Sequence, residues 1–494
     1  MRISKSASET PGVKTAVVSM ATDTNLALMA EVGFGLGSLG EVSANDLVIA
    51  VDAADQAAVD EAFAMVKREI RGGPRRSSAR APTSIEAAVR EHPEINLVLI
   101  SVPGRYAAYE ARRALVAGRH VMIFSDNVSV DDEIGLKEIG AREGLLVMGP
   151  DCGTAMIGGV GLGFANAVPP GGIGIVSASG TGAQEVASII GRLGFGVSHI
   201  IGTGGRDVSR EVGAVTLKMG LEALARDDTT KVIVVISKAP DPQVGEEVLG
   251  VAARLGKPCI VGFAGRKEGG EDGNVIFSTT LTETALRAAG ALSGKSQDIS
   301  LAPKRVDLEG LRGRLASPRR YLRGLYSGGT LAQEALFLLS PSLGEIRSNL
   351  HIEDMPGLSD PSVSEGHTIV DLGNDAFTRG RAHPMIDQAQ RLARLEREAL
   401  DPETAVVLLD VVLGYGCNSD PGGEIAAALG EIAEGRVPGE TMPVIVASVC
   451  GTQSDPQGYD RQKRALEAAG VIVTPTNAYA CMLAGDILGG VCDG

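Results

Sequence analysis

Short runs of consecutive apolar, largely β-branched residues alternate with longer amphipathic stretches along nearly the whole chain. TAVVSM from Thr15, DLVIAV from Asp46, NLVLISV from Asn96, HVMIF from His120 and LLVM from Leu145 read as strands. Most are apolar at successive positions, the pattern of strands covered on both faces in a parallel sheet. The intervening spacing predicts helices. Arg105 to Ala117 closes on Gly118, which suits a left-handed cap, and Ser129 followed by Asp131, Asp132 and Glu133 marks a helix start with acids at its positive end. Residues 1–149 therefore read as one parallel, Rossmann-like α/β domain.

The pattern resumes with GIGIVS (from Gly172), VSHIIG (Val197), KVIVVI (Lys231) and PCIVGF (Pro258), and a helix from about Thr280 to Ala289 ends a second domain, 150–292. Residues 293–320 carry Gly, Ser, Pro, Lys and Arg without periodicity and read as a linker. A third series fills 321–494: LRGLYS (Leu322), TIVDL (Thr368), AVVLLD (Ala405), MPVIVASV (Met442) and VIVT (Val471). The expectation is three doubly wound α/β domains with parallel sheets, the first Rossmann-like and the next two flavodoxin-like. Gly180-Thr181-Gly182-Ala183-Gln184-Glu185 recurs 149 residues later as Gly329-Thr330-Leu331-Ala332-Gln333-Glu334, each time after an apolar run and opening a helix. Duplication of one unit accounts for this, and a shared structural demand would also maintain it.

A length of 494 residues agrees with about three cores. Glycine numbers 65 and aromatics make up 3%, which suits closely packed α/β layers and turns where backbone meets ligand. A net charge of −15 argues against general nucleic-acid or membrane-surface partners. The N-terminus lacks the apolar core of a signal peptide, and the VIVVI run from Val232 to Ile236 is far short of a bilayer span. Six cysteines without a C-x-x-C pair fit neither a zinc site nor a disulfide framework. The expected location is cytoplasmic, and no metal site is expected.

In open parallel sheets ligands bind beyond the carboxyl ends of the strands, so the turns there hold the candidate chemistry. Ser177-Ala178-Ser179-Gly180-Thr181-Gly182 follows GIGIVS and offers hydroxyls, close backbone approach and a helix N-terminus to an oxyanion such as phosphate. A tight turn with a Ser/Thr cap fits the same residues. Gly202 to Asp207, including Gly204 and Gly205, and the repeat partner Gly328-Gly329-Thr330 are further glycine-rich strand ends. After TIVDL, Asn374 with Arg379, Arg381 and His383 can hold a planar carboxylate, or form a solvated loop. Cys417 and Cys450 have no neighbouring base and read as buried or turn-lining thiols.

From Leu97 to about Gly265 the segments LVLISVPGRYAAYEARRALVAGRHVMIF, MGPDCGTAMI, GIGIVSASGTG, IGTGGRD and CIVGFAG resemble the α subunit of succinyl-CoA synthetase and its NDP-forming acyl-CoA synthetase relatives. From Leu322 onward the chain resembles the CoA-ligase domain of the β subunit. This fusion, with DLGNDAFTRGRAHPMID and CGTQSDPQG, resembles the FdrA family. The family's phosphorylated histidine loop corresponds here to Arg266–Gly273, which has no histidine, and its supporting glutamate to Lys238. The GFTGxxG loop that cradles CoA phosphates is absent after TAVVSM, and no ATP-grasp domain is present. The resemblance implies an oxamate carbamoyltransferase-like reaction with companion subunits or a homo-oligomer, passing a carbamoyl group between oxamate and phosphate in purine catabolism. It places phosphate on Ser177, Ser179, Gly180, Thr181, Gly182, Gly204, Gly205, Gly328, Gly329 and Thr330, the carboxylate on Asn374, Arg379 and Arg381, and proton transfer on His383. No cofactor is required, CoA being an option the missing loop speaks against. The rival readings are an acyl-CoA synthetase and a non-catalytic subunit; a dehydrogenase lacks its G-x-G-x-x-G.

Overall fold

A computed structural model describes the chain except residues 1, 9, 23–24, 27–28, 31–32, 41, 44–45, 72–81, 299–305, 314, 316–317, 353–354, 379–380, 437–440 and 490–494. Two compact units divide it: residues 1–82 with Thr378–Ala382, and residues 83–377 with 383–494.

In the smaller unit, strand β1 (Val13–Met20) alternates inward and outward positions, with Ala16 and Val18 buried. It pairs with β2 (Leu47–Ala53) from Thr15 opposite Asp52 to Met20 opposite Leu47, and the pairing is antiparallel. Helix Arg2–Ser8 places serines one turn apart, and their hydroxyls accept from the main chain of β1, Ser4 from Val18 N at 3.0 Å and Ser8 from Ala16 N at 3.1 Å. Those bonds satisfy an edge that would otherwise be open. Helix Gln56–Arg71 buries Ala58, Ala62 and Val66, four residues apart on one face. The single Rossmann-like domain expected over 1–149 is therefore corrected. Its first two strands form an antiparallel pair in a separate unit. A strand's direction is set by the connection that precedes it, and apolar runs carry no mark of direction.

The larger unit begins with a three-stranded parallel sheet of β3 (Leu97–Ile100), β4 (His120–Ile123) and β5 (Val147–Met148). Helix Gly104–Val116 buries Ala107, Ala111, Ala114 and Leu115 against it. Helix Val130–Glu143 starts as its sequence demands, with the Ser129 hydroxyl accepting from Asp132 N.

The next sheet contains β6 (Thr154–Ile157), β7 (Val160–Gly163), β8 (Pro170–Ser177), β9 (Val197–Gly202), β10 (Val232–Ser237), β11 (Cys259–Phe263), β12 (Gly270–Asp272) and β13 (Val275–Phe277). Among the described residues its order is β12-β13-β11-β10-β8-β9-β6-β7, with the five strands from β13 to β9 parallel and the edges antiparallel. The last sheet contains β14 (Tyr321–Tyr326), β15 (Ile346–Ser348), β16 (His367–Asp371), β17 (Thr404–Val412), β18 (Val444–Cys450) and β19 (Ile472–Thr474). Its order is β15-β16-β14-β17-β18-β19, all parallel. Every position of β17 is buried, which is why its sequence is continuously apolar apart from Asp410. Between the two sheets, Ser293 ends one helix and a short helix, Leu308–Gly313, precedes β14.

The two large sheets share one hydrophobic cluster, with Ile175, Val234 and Ile260 in the same core as Leu322, Leu408 and Val446. Within it lie helices Gly180–Arg192 and Gly329–Leu343, the two that open with the repeated hexapeptide. The repeat has a structural cause. Glu334 Oε1 accepts from Leu281 N at 2.7 Å, at the start of the last helix of the neighbouring sheet, and its Oε2 accepts from Asn477 Nδ2 at 2.8 Å. Glu185 Oε1 accepts from Asn477 N at 3.1 Å, at the start of the chain's last helix, Asn477–Leu488. Each repeat thus supplies a carboxylate to a helix N-terminus of the other half, where the dipole and unpaired N–H groups favour it.

Glu185 and Glu334 are buried, and removing either carboxylate leaves N–H donors unpaired in the core. Glu334→Ala is expected to destabilise the protein by about 2–4 kcal/mol, read as a fall in urea-unfolding midpoint, with Glu185→Ala acting in the same direction. Burial raises the Glu334 pKa from 4.5 to about 7, so its neutral form is favoured in the folded state. Its contribution to stability is complete below about pH 4.5 and is lost as pH climbs through 7. Glu334→Gln should therefore flatten the decline in stability between pH 5.5 and about pH 8, measured as midpoint against pH.

Candidate functional site

The first repeat turn sits at the carboxyl end of β8. Ser177 Oγ donates to Ser179 O at 2.6 Å and accepts from Ser179 N at 3.0 Å. Ser179 caps the helix by accepting from Gly182 N at 3.0 Å, and its hydroxyl lies 2.6 Å from Thr330 Oγ1 of the second repeat. Both serines are buried. Their hydroxyls are engaged within the protein, so they shape the turn instead of meeting an oxyanion, which corrects the expectation for Ser177 and Ser179. The open donors are the Gly180 and Thr181 amides, which have no partner among the described residues, and the half-buried Thr181 hydroxyl. Gly182 has no room for a side chain, since a Cβ there would fall 2.5 Å from Ser179 Oγ.

The second repeat turn has the same backbone course and different contents. Ser327 N and Gly328 N donate to Asp410 at 2.8 and 2.9 Å, the Ser327 hydroxyl adds a further bond, and Arg391 pairs with the same carboxylate at 2.8 Å. A Cβ on Gly329 would fall 2.6 Å from Asp371 Oδ2, and one on Gly328 would fall 2.8 Å from Thr181. Gly328, Gly329 and Thr330 were expected to bind phosphate; the Gly328 amide donates to Asp410 and the Thr330 hydroxyl meets Ser179, while the Gly329 amide has no partner among the described residues. Strand register identifies the equivalents in the first half. Leu325 is opposite Leu409 and Val370, and Val176 is opposite Val235 and Ile201. Asp410 and Asp371 therefore correspond to Ile236 and Gly202. The first turn has no acid at either place.

Two residues beyond Ile236 stands Lys238, exposed, without an ion pair among the described residues. Its Nζ lies 3.8 Å from where a Cβ on Gly205 would be, so Gly205 faces the same space. Gly204 does not. It adopts φ +84 and passes so close to Pro150 that a Cβ would fall 2.2 Å from its carbonyl oxygen, a packing requirement. The adjoining Arg206 and Asp207 dock helix Val130–Glu143. Lys137 Nζ binds Glu133 at 2.8 Å and Asp207 at 2.7 Å, Arg206 pairs with Glu133 at 2.9 Å, and Asp207 also accepts from Thr216 N and Leu217 N. The segment aligned with the family's histidine loop forms part of the β12–β13 hairpin.

Asn374 Oδ1 accepts from Ala376 N at 3.1 Å, opening the one-turn helix Asp375–Thr378. Arg379 lies outside the described residues, and Arg381, whose amide donates to Thr378 O at 3.0 Å, belongs to the smaller unit. His383 Nδ1 accepts from Met385 N at 3.2 Å, which leaves the ring proton on Nε2. Burial pushes its pKa down to about 4, so at neutral pH it is an uncharged donor. This corrects its expected role as a base.

Two acids that the sequence did not single out complete the surroundings. Asp371, the last residue of β16, is buried, and its pKa rises to about 6 through desolvation, against the Gly373 amide and Lys238, which lower it. Asp151 is exposed, yet enough protein surrounds it for desolvation to push its pKa up to about 6; Lys238 lowers it and Asp126 raises it. Lys238 is thus in the field of both. Position at a strand's carboxyl end was the available signal for Asp371. Among the described residues no group of three His, Cys, Asp or Glu side chains could hold a metal ion, and no helix is long and apolar enough to cross a membrane.

The similar turns after β17 and β18 join the halves. Asp455 accepts from Ala167 N and from Asn166 Nδ2, while Gln457 bridges to Gly414 by two bonds. Burial pushes the Cys417 thiol up to about 12 and Cys450 well above its ordinary value. Alkylation of the native protein by iodoacetamide at pH 8 should therefore leave Cys417 and Cys450 unlabelled, and unfolding in urea should expose both to labelling, as read by peptide mass spectrometry.

A family model described as CoA-ligase matches residues 325–487, and one described as AllF, heavy metal-associated domain, matches residues 1–86. The chain is 38% identical to the uncharacterized protein YahF of Escherichia coli (strain K12) over 496 residues, 99% of this chain and 95% of YahF. It is 30% identical over 228 residues to subunit alpha 2 of an ADP-forming succinate–CoA ligase of Archaeoglobus fulgidus, 43% of this chain and 77% of that one. Among solved structures, ATP citrate lyase from Methanothrix soehngenii in complex with citrate and coenzyme A aligns at 19% identity and a TM-score of 0.34, over 43% of this chain and 37% of the lyase chain. The chain belongs to the succinyl-CoA synthetase-like superfamily, in one family with YahF.

Proposed function

We propose that this chain is an FdrA-type acyl-transfer enzyme subunit that holds an acyl phosphate at the first repeat turn and works without a phosphohistidine. The observation that supports this most is the asymmetry of the two turns. Where the second holds Asp410 and Asp371, the first has Ile236 and Gly202, with the Gly180 and Thr181 amides open and Lys238 nearby. The second turn keeps two carboxyl groups of its own, and the first has neither. Helix N–H groups, a hydroxyl and an ammonium in one partly water-excluded place are suited to the oxygens of phosphate and to the oxyanion of a tetrahedral intermediate.

The finer reading is carbamoyl transfer between oxamate and phosphate. Carbamoyl-oxamate brings a carboxylate and phosphate a second anion, and Lys238, flanked by Asp151 and Asp371, is a cation available to them. His383 contributes an Nε2–H donor. No step is routed through coenzyme A, since the sequence after TAVVSM lacks the GFTGxxG loop and that strand lies in an antiparallel pair. Companion subunits or a second copy would supply what this chain lacks. An acyl-CoA synthetase reaction is the second reading, favoured by the CoA-ligase match over 325–487 and the succinate–CoA ligase relative.

The test is phosphate-dependent cleavage of carbamoyl-oxamate by the purified chain, alone and with the proteins encoded beside it, measuring carbamoyl phosphate. Lys238→Met is expected to lower kcat/KM about 100-fold and Thr181→Val about 10-fold, with unfolding midpoints unchanged. Acyl-CoA formed from CoA, ATP and a carboxylate, with no carbamoyl phosphate under any condition, would establish the second reading instead.

A further inference from the structure

We propose that Asp371 is the proton-transfer group of the acyl-transfer site, giving a proton to the leaving atom and recovering one from the attacking oxyanion. This rests on the reading of the site given above and adds a role that the repeat turns cannot fill, since their open groups are donors.

Asp371 is held firmly at one end and open at the other. Its amide donates to Asn349 Oδ1 at 2.9 Å and its carbonyl accepts from Asn349 Nδ2 at 2.9 Å, which fixes the backbone at the carboxyl end of β16. Its Oδ1 accepts from Gly373 N at 2.9 Å. Its Oδ2 accepts no hydrogen bond among the described residues and points to the start of helix Gly329–Leu343, where the missing side chain of Gly329 leaves it space. His383 Nε2 and Asp371 Oδ1 both lie against the place a Cβ on Gly373 would take, at 2.5 and 3.1 Å. The two glycines therefore make room for a carboxyl group and an imidazole beside each other.

Neighbouring acids are less suited. Asp410 is buried with both oxygens bonded to Ser327, Gly328 and Arg391, so its acceptor positions are taken within the protein. Asp151 is exposed and makes no side-chain hydrogen bond among the described residues. The charged and titratable groups facing Asp371 are Lys238, Asp410 and Asp151, with His383 alongside. Burial and the two acids raise its pKa to about 6, against the pull of Lys238, which keeps part of the population protonated near neutral pH.

The step balances without a further reactant. An oxygen of hydrogen phosphate attacks the acyl carbon and forms a C–O bond, and the bond from that carbon to the amide nitrogen breaks. The leaving nitrogen takes the Asp371 carboxyl proton. The carboxylate then takes the P–OH proton of the phosphate that attacked. The products are an acyl phosphate and a primary amide, and Asp371 returns to its protonated form.

The experiment compares wild type, D371N and D371E, as full chain with any companion subunits that activity needs. Inorganic phosphate binding is measured by calorimetry, and phosphate-dependent turnover is measured from pH 5 to about pH 8. For D371N the expected result is phosphate affinity within about threefold of wild type and kcat lower by at least about 100-fold. The limb on which wild-type kcat falls as pH rises through about 6 should be absent from the residual activity. D371E should recover part of kcat, with that limb displaced. D371N that keeps kcat within tenfold and an unchanged pH profile would overturn the assignment while leaving the acyl-transfer reading intact. Folded D371N that loses phosphate binding in proportion to kcat would also overturn it, in favour of a binding role. A D371N chain that does not fold leaves the decision to D371E, whose unaltered profile would count against the proposal. Wild type that shows no phosphate-dependent turnover would overturn both.

Discussion

Two buried glutamates, one from each copy of a repeated hexapeptide, reach across to helix N-termini in the opposite halves of the larger unit. Glu334 accepts from the first amide of the helix that begins at Leu281, and Glu185 from the first amide of the helix that begins at Asn477. A carboxylate in a shared core is costly unless donors meet it, and here main-chain N–H groups with few other partners do so. The exchange fixes how the two repeat helices lie against each other. That in turn sets the 2.6 Å contact between Ser179 and Thr330 and the approach of Thr181 to Gly328. The site's geometry depends on this pairing more than on any residue within the site.

A difference in charge then separates the halves chemically. The backbone after β8 and after β14 follows one plan, with a strand, a tight turn and a buried helix. In the later copy Asp410 fills the amides of the turn and Asp371 stands over the helix start. In the earlier copy the register puts an isoleucine and a glycine at those places, and Lys238, without an ion pair among the described residues, follows. The Ser327 and Gly328 amides donate to Asp410, whereas the matching Ala178 and Ser179 amides of the earlier copy donate to Ile236 O and Ser177 Oγ. The difference is whether the protein brings the anion itself.

Much of this was legible along the chain. Continuous apolar runs marked all the long buried strands, because a strand covered on both faces has no polar side to show. Ser129, Gly118 and the acids after Ser129 marked helix ends, since caps are local chemistry. The hexapeptide repeat located the two helices that matter. Other features lay beyond it. Ser177 and Ser179 have the composition of a phosphate turn, but their hydroxyls are consumed by bonds within one turn and by Thr330, 151 residues away. Gly204 resembles a ligand-facing glycine and is required instead by the closeness of Pro150.

By itself the sequence determined the α/β class and the positions of the strands, which follow from hydrophobic period and local turn chemistry, while the paired ligase-type halves were expected from a family resemblance of its motifs. Only the tertiary structure decided that TAVVSM and DLVIAV run antiparallel in a unit of their own, since strand direction depends on the path of the connection between them. It also decided which of two similar turns keeps carboxyl groups of its own. That depends on Asp410 and Asp371, which are separated in sequence from the turn they fill and are brought to it by strand register alone.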